Sequence, residues 1–515
     1  MSETVSGPGG LSELRSGRQS SDRMVLVLAC VAQFMVVLDV SVVNVALPSI
    51  GRDLHYSATG LQWVVNAYVL TFAGFLLLGG RAADLFGRRR TYLAGLVLFT
   101  FASLVGGFAQ DSAWLTTARA VQGVGGALLS PATLTIIVTT FTGARLARAL
   151  GIWSAVAGAG GAAGSILGGV LTAEASWRWV LFINLPIGIV VLVFALRYLT
   201  ELRREQRTER LDVAGAVAVT AGLGVLIYAI VGTDTHSWGS ATTLGTLGVA
   251  VVLLVAFALV ERAASAPLVP FGLFRSRSLT GANLVMLLVG AAFFSMWYFL
   301  SLYLQNVLGY SALRAGLAFF PMAVAIVIGA QISSRVLPRL GTRPLLTVGT
   351  VIVAVGFAWL SRIEPAPDYW GHVFGPGCLI SLALGLMFTP LAAAGTAGVA
   401  QQEAGLASGV LNTSRQIGGS LGLAVLATVA TDRTLGLLHA DRRGAAALTS
   451  GYGRAFAVAA GLGAVACVLS AVVPNVGRSA AGDAHATEDP RDAAEGAAGT
   501  EPAGARGAMI ETEQA

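Results

Sequence analysis

A carboxylic acid in the middle of an apolar run is the first feature that asks for a chemical explanation. Asp39 lies within Phe34-Met35-Val36-Val37-Leu38-Asp39-Val40-Ser41-Val42-Val43-Asn44. A carboxylate at the centre of a spanning helix costs about 2.5–3.5 kcal/mol on insertion scales. It persists there by facing a cavity, by pairing or by staying protonated, and each suits a proton or cation site. The structural alternative is a buried pair that holds helices together. Arg119 opens a second such run, Arg119-Ala120-Val121-Gln122-Gly123-Val124-Gly125-Gly126. A guanidinium stays charged, so it needs a carboxylate, carbonyls or water. It would bias proton uptake by a neighbouring acid, or serve as an anchor near the membrane interface.

Three further groups stand out. Gly80-Arg81-Ala82-Ala83-Asp84-Leu85-Phe86-Gly87-Arg88-Arg89-Arg90 sits between two apolar runs. Gly87 permits a tight turn and Asp84 can cap a helix or pair with Arg88 or Arg89. Topology alone accounts for the arginines; a salt-bridged hinge accounts for the Gly80, Asp84 and Gly87 spacing as well. Gly160, Gly164 and Gly168 recur every four residues, with Gly169 following. That face permits close helix approach, as a static seam or as a groove on which a helix slides. Arg415 and Glu403 lie in a late apolar region, as a second charge in a cavity or as an anchor.

The rest of the chain is poor in reactive groupings. Cys30, Cys378 and Cys467 are isolated in apolar runs, and the five histidines fall in loops or the tail. There is no Ser-His-Asp, HExxH or Gly-Lys-Ser/Thr phosphate-loop pattern. The reading is therefore not an enzyme, with no metal site and no cofactor. Active transport would have to draw on an ion gradient.

The elements that must position these residues are membrane helices. Of 515 residues 55% are hydrophobic and 12% charged, half the charge of about 25% in soluble domains. About fourteen stretches are long enough to span, near 24–48, 60–80, 91–109, 113–138, 150–171, 179–199, 212–231, 243–261, 279–303, 315–335, 345–362, 373–395, 406–430 and 455–473. The first is read as an uncleaved helix. All 33 basic residues are Arg. A cytoplasmic N-terminus puts most loop arginines inside, including Arg88, Arg89, Arg90, Arg145 and Arg148. Both termini are then cytoplasmic. The net charge of +6 is spread over short loops, which reflects topology and not nucleic-acid binding.

One shift organises the chain. Tyr56-Ser57-Ala58 recurs 254 residues on as Tyr310-Ser311-Ala312. The same shift takes Gly87 and Arg89 to Gly341 and Arg343, and Gly164 and Gly168 to Gly418 and Gly422. The expectation is an all-α integral membrane protein of two six-helix bundles related by duplication plus two inserted helices, the major facilitator architecture. Its parts are a cytoplasmic segment 1–23, a bundle 24–200, a linker with the inserted pair 201–265, a bundle 266–474 and a disordered cytoplasmic tail 475–515.

These segments resemble the fourteen-helix drug:proton antiporters of the major facilitator superfamily over about 24–475. Gly80–Arg90 looks like the superfamily's loop motif. Leu38-Asp39 through Pro48 is similar to the first-helix motif of drug exporters, whose acid is implicated in coupling or cation recognition. Arg119–Gly126 resembles the fourth-helix motif, whose Arg is assigned to proton transfer. Ser176-Trp177-Arg178-Trp179-Val180-Leu181-Phe182-Ile183-Asn184-Leu185-Pro186-Ile187-Gly188, Leu211-Asp212 and Tyr303-Leu304-Gln305 resemble segments of the fourteen-helix branch. Ser165 stands where exporters usually carry Pro, which puts the fifth-helix kink in question.

The resemblance implies a bacterial inner-membrane, monomeric antiporter that exports drug-like, lipophilic or cationic small molecules in exchange for protons, by alternating access. Met35, Phe294, Met296 and Trp297 would wall an adaptable cavity, or face lipid. A proton-coupled uptake symporter and a membrane receptor or scaffold are the alternatives. The short outer loops argue against the receptor.

Overall fold

Each run long enough to cross a bilayer is helical, because backbone polar groups in lipid must be satisfied within their own segment. In the computed structural model the described residues are 8–199, 212–234, 236–264, 267–269, 271–365, 368–399, 404–440 and 444–476. The expected linker stretch 201–211 and most of the expected tail lie outside them.

Among the described residues, fourteen helices are long and apolar enough to span a membrane. They are α1 (Asp22–Asp53), α2 (Gly60–Ala83), α3 (Arg88–Gly107), α4 (Ser112–Thr140), α5 (Arg148–Glu174), α6 (Trp179–Tyr198) and α7 (Val213–Val231). The remainder are α8 (Ala241–Ala263), α9 (Arg277–Val307), α10 (Ala312–Leu340), α11 (Thr342–Leu360), α12 (Trp370–Thr396), α13 (Gly405–Leu438) and α14 (Gly444–Val472). Several boundaries run beyond expectation, among them the end of α13 at Leu438 in place of 430. The polar segment before α1 is helical back to Pro8. Helix α14 begins at Gly444, not near 455, because its first turns are rich in Ala, a strong helix former.

Helix packing repeats across the two halves. In the first, α1 packs on α5, α2 on α4, and α3 on α4 and α6. In the second, α9 packs on α13, α10 on α12, and α11 on α12 and α14. Helix α5 meets α10 along one edge and α13 meets α2 along the other. Helix α7 docks on α2 and α13, while α8 packs mainly on α7. The inserted pair thus covers one of the two edges only.

The 254-residue shift has local counterparts in the backbone. Ser57 Oγ accepts the Gly60 N–H at 2.9 Å, and Ser311 Oγ accepts the Arg314 N–H at 3.3 Å. Ser311 is the N-cap of α10, and Ser57 closes the turn that leads into α2 in the same way. Gly87 and Gly341 both take positive φ, 96° and 77°, where each breaks one helix and starts the next. A side chain would be strained there.

Candidate functional site

Asp39 is fully enclosed, at 0% exposure, and Arg119 is 2% exposed beside it. Helix α4 brings Arg119 Nη1 to 2.5 Å from Asp39 Oδ2. Gln122, one turn along α4, donates from Nε2 to Asp39 Oδ1 at 2.8 Å. Asn184 of α6 donates to the same oxygen at 2.9 Å. The carboxylate therefore accepts from three side chains, a set that suits its ionised form, which accepts and does not donate. Among the alternatives open in the sequence, the structure holds Asp39 in a pair inside one bundle and not on a cavity wall.

The partners are held in turn. Arg119 Nε donates to Val64 O at 3.1 Å and Nη1 to Gln122 Oε1 at 2.7 Å. Its guanidinium lies 4.4 Å from the centre of the Tyr68 ring, a cation–π contact. Ser103 Oγ accepts from Gln122 and Asn184 and donates to Leu181 O. Five helices, α1, α2, α3, α4 and α6, thus converge on one carboxylate. Removing one member of a buried pair typically costs 3–5 kcal/mol, whereas an apolar replacement of both is often neutral. A buried pair is therefore weak evidence of a purely stabilising role.

Helix α1 also carries the contact to the other half. Ser301 Oγ donates to Asn44 O at 2.6 Å, and Gln305 Nε2 donates to Val45 O at 2.9 Å. Both donors come from the end of α9, where Tyr303–Val307 widens into a π-helical turn. Such turns recur at functional positions. Asn44 lies five residues, about 7.5 Å, along α1 from Asp39.

The family model for the Major Facilitator Superfamily matches residues 29–423. This chain belongs to that superfamily. It is a multi-pass membrane transporter and not an enzyme. The transporter is 46% identical to a cephamycin export protein of Amycolatopsis lactamdurans over 90% of this chain and 95% of that one. It is 42% identical to a puromycin resistance protein of Streptomyces alboniger, over 87% and 90% of the two chains. A solved bacterial homologue of the human lysosomal transporter Spinster shares the fold, with a TM-score of 0.63 at 16% identity, over 88% of this chain and 97% of that one.

The glycines of the transporter's α5 divide between two neighbours. A Cβ on Gly160 would meet Phe34 O at 3.1 Å, one on Gly164 would meet Leu38 O at 2.9 Å, and one on Gly168 would meet Val42 O at 2.8 Å. These three face α1 on either side of Asp39. Gly169 turns to the other half, where its Cβ would meet Ala312 O at 2.7 Å. Gly316 of α10 presses back on Ser165 O. Ser165 Oγ donates to Gly161 O at 3.2 Å, and the helix runs on without a break.

In the turn between α2 and α3, Arg81 Nη2 donates to Pro267 O and Arg89 Nη2 to Leu196 O, both at 3.0 Å. Gly80 meets only Pro131, at 3.9 Å from its would-be Cβ. Arg88 is half-buried. The side chain of Asp84 lies outside the described residues, as does Glu403. Arg415 is half-buried in α13 and donates from Nη2 to Asn412 Oδ1 at 2.9 Å. Its guanidinium lies 5.8 Å from the Phe388 ring centre. Met35 and Met296 are fully buried. Phe294 packs over Gly419, and Trp297 stacks on Phe319 at 4.7 Å.

Ser103, Gln122, Asn184 and Tyr68 complete the site without standing out in the sequence as Asp39 and Arg119 do. Gln122 and Asn184 do sit in the two segments that carry the family resemblance, one turn from Arg119 and just after Trp179 respectively. Nothing in the sequence marks Ser103, a hydroxyl like many others in these helices.

Proposed function

We propose that this transporter exports drug-like small molecules in exchange for protons, by alternating access of a site between its halves. The observation that carries the reading is the placement of Asp39. It is an ionisable group at the middle of α1, five and six residues from the Asn44 and Val45 carbonyls that Ser301 and Gln305 hold. Helix α5 adds a second link, since it packs on α1 around Asp39 and on α10 through Gly169. A proton on Asp39 weakens its claim on Arg119, Gln122 and Asn184. That frees α1 to shift against α4 and α6, and the shift reaches the α1–α9 and α5–α10 contacts. Proton occupancy and the arrangement of the halves then bias one another, as linkage requires.

The relatives named for cephamycin export and puromycin resistance support outward movement of small molecules. The sequence has no phosphate-binding loop, which favours an ion gradient as the driving force. The arginine-rich ends of the helices are assigned to the cytoplasm, as are both termini, in a bacterial cell membrane. The α1–α9 contacts then lie toward the outside, and outward opening must break them. Asp39 presents no free oxygen to a bound cation, so we place it in coupling and leave recognition to the cavity.

The test is efflux from an efflux-deficient bacterium loaded with a fluorescent lipophilic dye. Wild type and Asp39→Asn are compared with and without a protonophore. Rapid loss that collapses with the protonophore and with Asp39→Asn is the expected result. Efflux that continues unchanged in Asp39→Asn overturns the assignment.

A further inference from the structure

The second half holds a positive charge that nothing described neutralises. Arg119 is matched by Asp39, but no carboxylate among the described residues lies within 4.0 Å of Arg415. Arg415 sits about 15 Å along α13 from Gly405, well inside the span. Its polar contact is the Asn412 amide oxygen, and the Phe388 ring stands nearby. A guanidinium has five donors and remains charged. One neutral acceptor leaves most of that capacity unused.

The direction Arg415 faces follows from the helix period. Ile417, Leu421 and Ala424 pack with α2 and α7, and Thr428 Oγ1 reaches Ile230 O of α7. Those positions lie on the opposite side of α13 from Arg415, Asn412 and Gly419. The Arg415 side therefore faces α9 and α12. Gly419, one turn on, is covered by Phe294 of α9. A charged fork thus lies 5.8 Å from the Phe388 ring of α12, and the Phe294 ring of α9 stands one turn further along α13.

We propose that Arg415 binds the anionic group of the transported molecule, and that the substrate class is an organic acid with an apolar or aromatic body. A carboxylate matches the guanidinium fork with two parallel hydrogen bonds. The unused Nδ2 of Asn412 supplies a third donor, and Phe388 and Phe294 take the apolar body. The Asp39 pair needs no ligand to be neutral, whereas Arg415 becomes neutral only when an acid occupies the site. This rests on the export reading above, whose substrate it specifies.

The test uses the purified full-length protein in detergent and two probes, N-dansyl-phenylalanine and its carboxamide. Binding is followed by energy transfer from tryptophan to dansyl. The acid is expected to bind wild type at least tenfold more tightly than the amide. Arg415→Gln should lower acid affinity at least tenfold, to the level of the amide, with amide binding unchanged as the measure of an intact fold. Arg415→Lys should bind the acid with intermediate affinity, and this also decides the matter if Arg415→Gln binds neither probe. Equal binding of acid and amide by wild type, no binding of the acid, or an acid preference that survives Arg415→Gln overturns the proposal. The measurement needs no gradient and no transport. Failure of proton exchange would therefore leave it intact, and its own failure would leave export intact.

Discussion

The two halves share a backbone plan and differ in where they carry charge. The shift that equates their caps and their positive-φ glycines takes Asp39 to Phe293 and Arg119 to Val373. Run backwards, it takes Arg415 to Gly161. The close crossings match: Gly164 and Gly168 press on α1 as Gly418 and Gly422 press on α9. Duplication has therefore kept what the helices need in order to cross and turn. The charged residues have diverged, giving one half a closed ion pair and the other a cation with no carboxylate partner among the described residues. On the proposed reading this separates coupling from recognition, and the separation can be attacked directly.

The largest effect should come from opening the closed pair. Asp39→Asn leaves Arg119 buried without a counter-charge and should destabilise the protein by about 3–5 kcal/mol. Thermal unfolding of the detergent-purified protein, read by size-exclusion chromatography, measures this. The double variant Asp39→Asn/Arg119→Gln should recover most of that stability while remaining inactive in efflux. A double variant that transports would remove the pair from the mechanism.

A smaller loss is expected where the halves are alike. Gly164→Val and Gly418→Val each push a side chain into a neighbouring backbone. Each should cost about 1–3 kcal/mol, as overpacking does. Similar losses from the two substitutions would support the shared crossing. A loss confined to one of them would break the equivalence.

Gln305→Ala removes one hydrogen bond between the halves, to Val45 O. The expected cost is about 0.5–1.5 kcal/mol. Its clearer sign is faster maleimide labelling of a cysteine introduced at Asn306, since the α1–α9 contact opens more often. Unchanged labelling would mean that these bonds do not hold the outer side shut.

The smallest change is predicted for Arg415→Gln, which removes a cation that has no described carboxylate partner. Its unfolding temperature should stay close to wild type, within about 1 kcal/mol in stability. A loss as large as that of Asp39→Asn would show that Arg415 is a structural anchor, and the contrast between the halves would fail.

Much of the fold was legible because lipid imposes a simple rule. Long apolar runs become helices, loop arginines report their ends, and a constant shift exposes duplication. Within the site, Asp39 and Arg119 were legible because charge in a span is costly and therefore conspicuous. Their uncharged partners were not. Ser103 and Asn184 are polar residues among many; Asn184 meets Asp39, and Ser103 holds Asn184 and Gln122, only because of how α3 and α6 cross α1 and α4. The glycine repeat was visible, but not its split between α1 for Gly160, Gly164 and Gly168 and α10 for Gly169.

By itself, then, the sequence determined the class of protein, the count of spans and the residues too costly to be accidental, because transfer into lipid is paid residue by residue. Only the tertiary structure decided who meets whom. It closed Asp39 against Arg119 inside one bundle, left Arg415 without an acid among the described residues of the other and tied α1 to α9 through backbone carbonyls. Such contacts join residues from 80 to about 260 positions apart, and their partners are chosen by helix crossing and rotation, which no local pattern records.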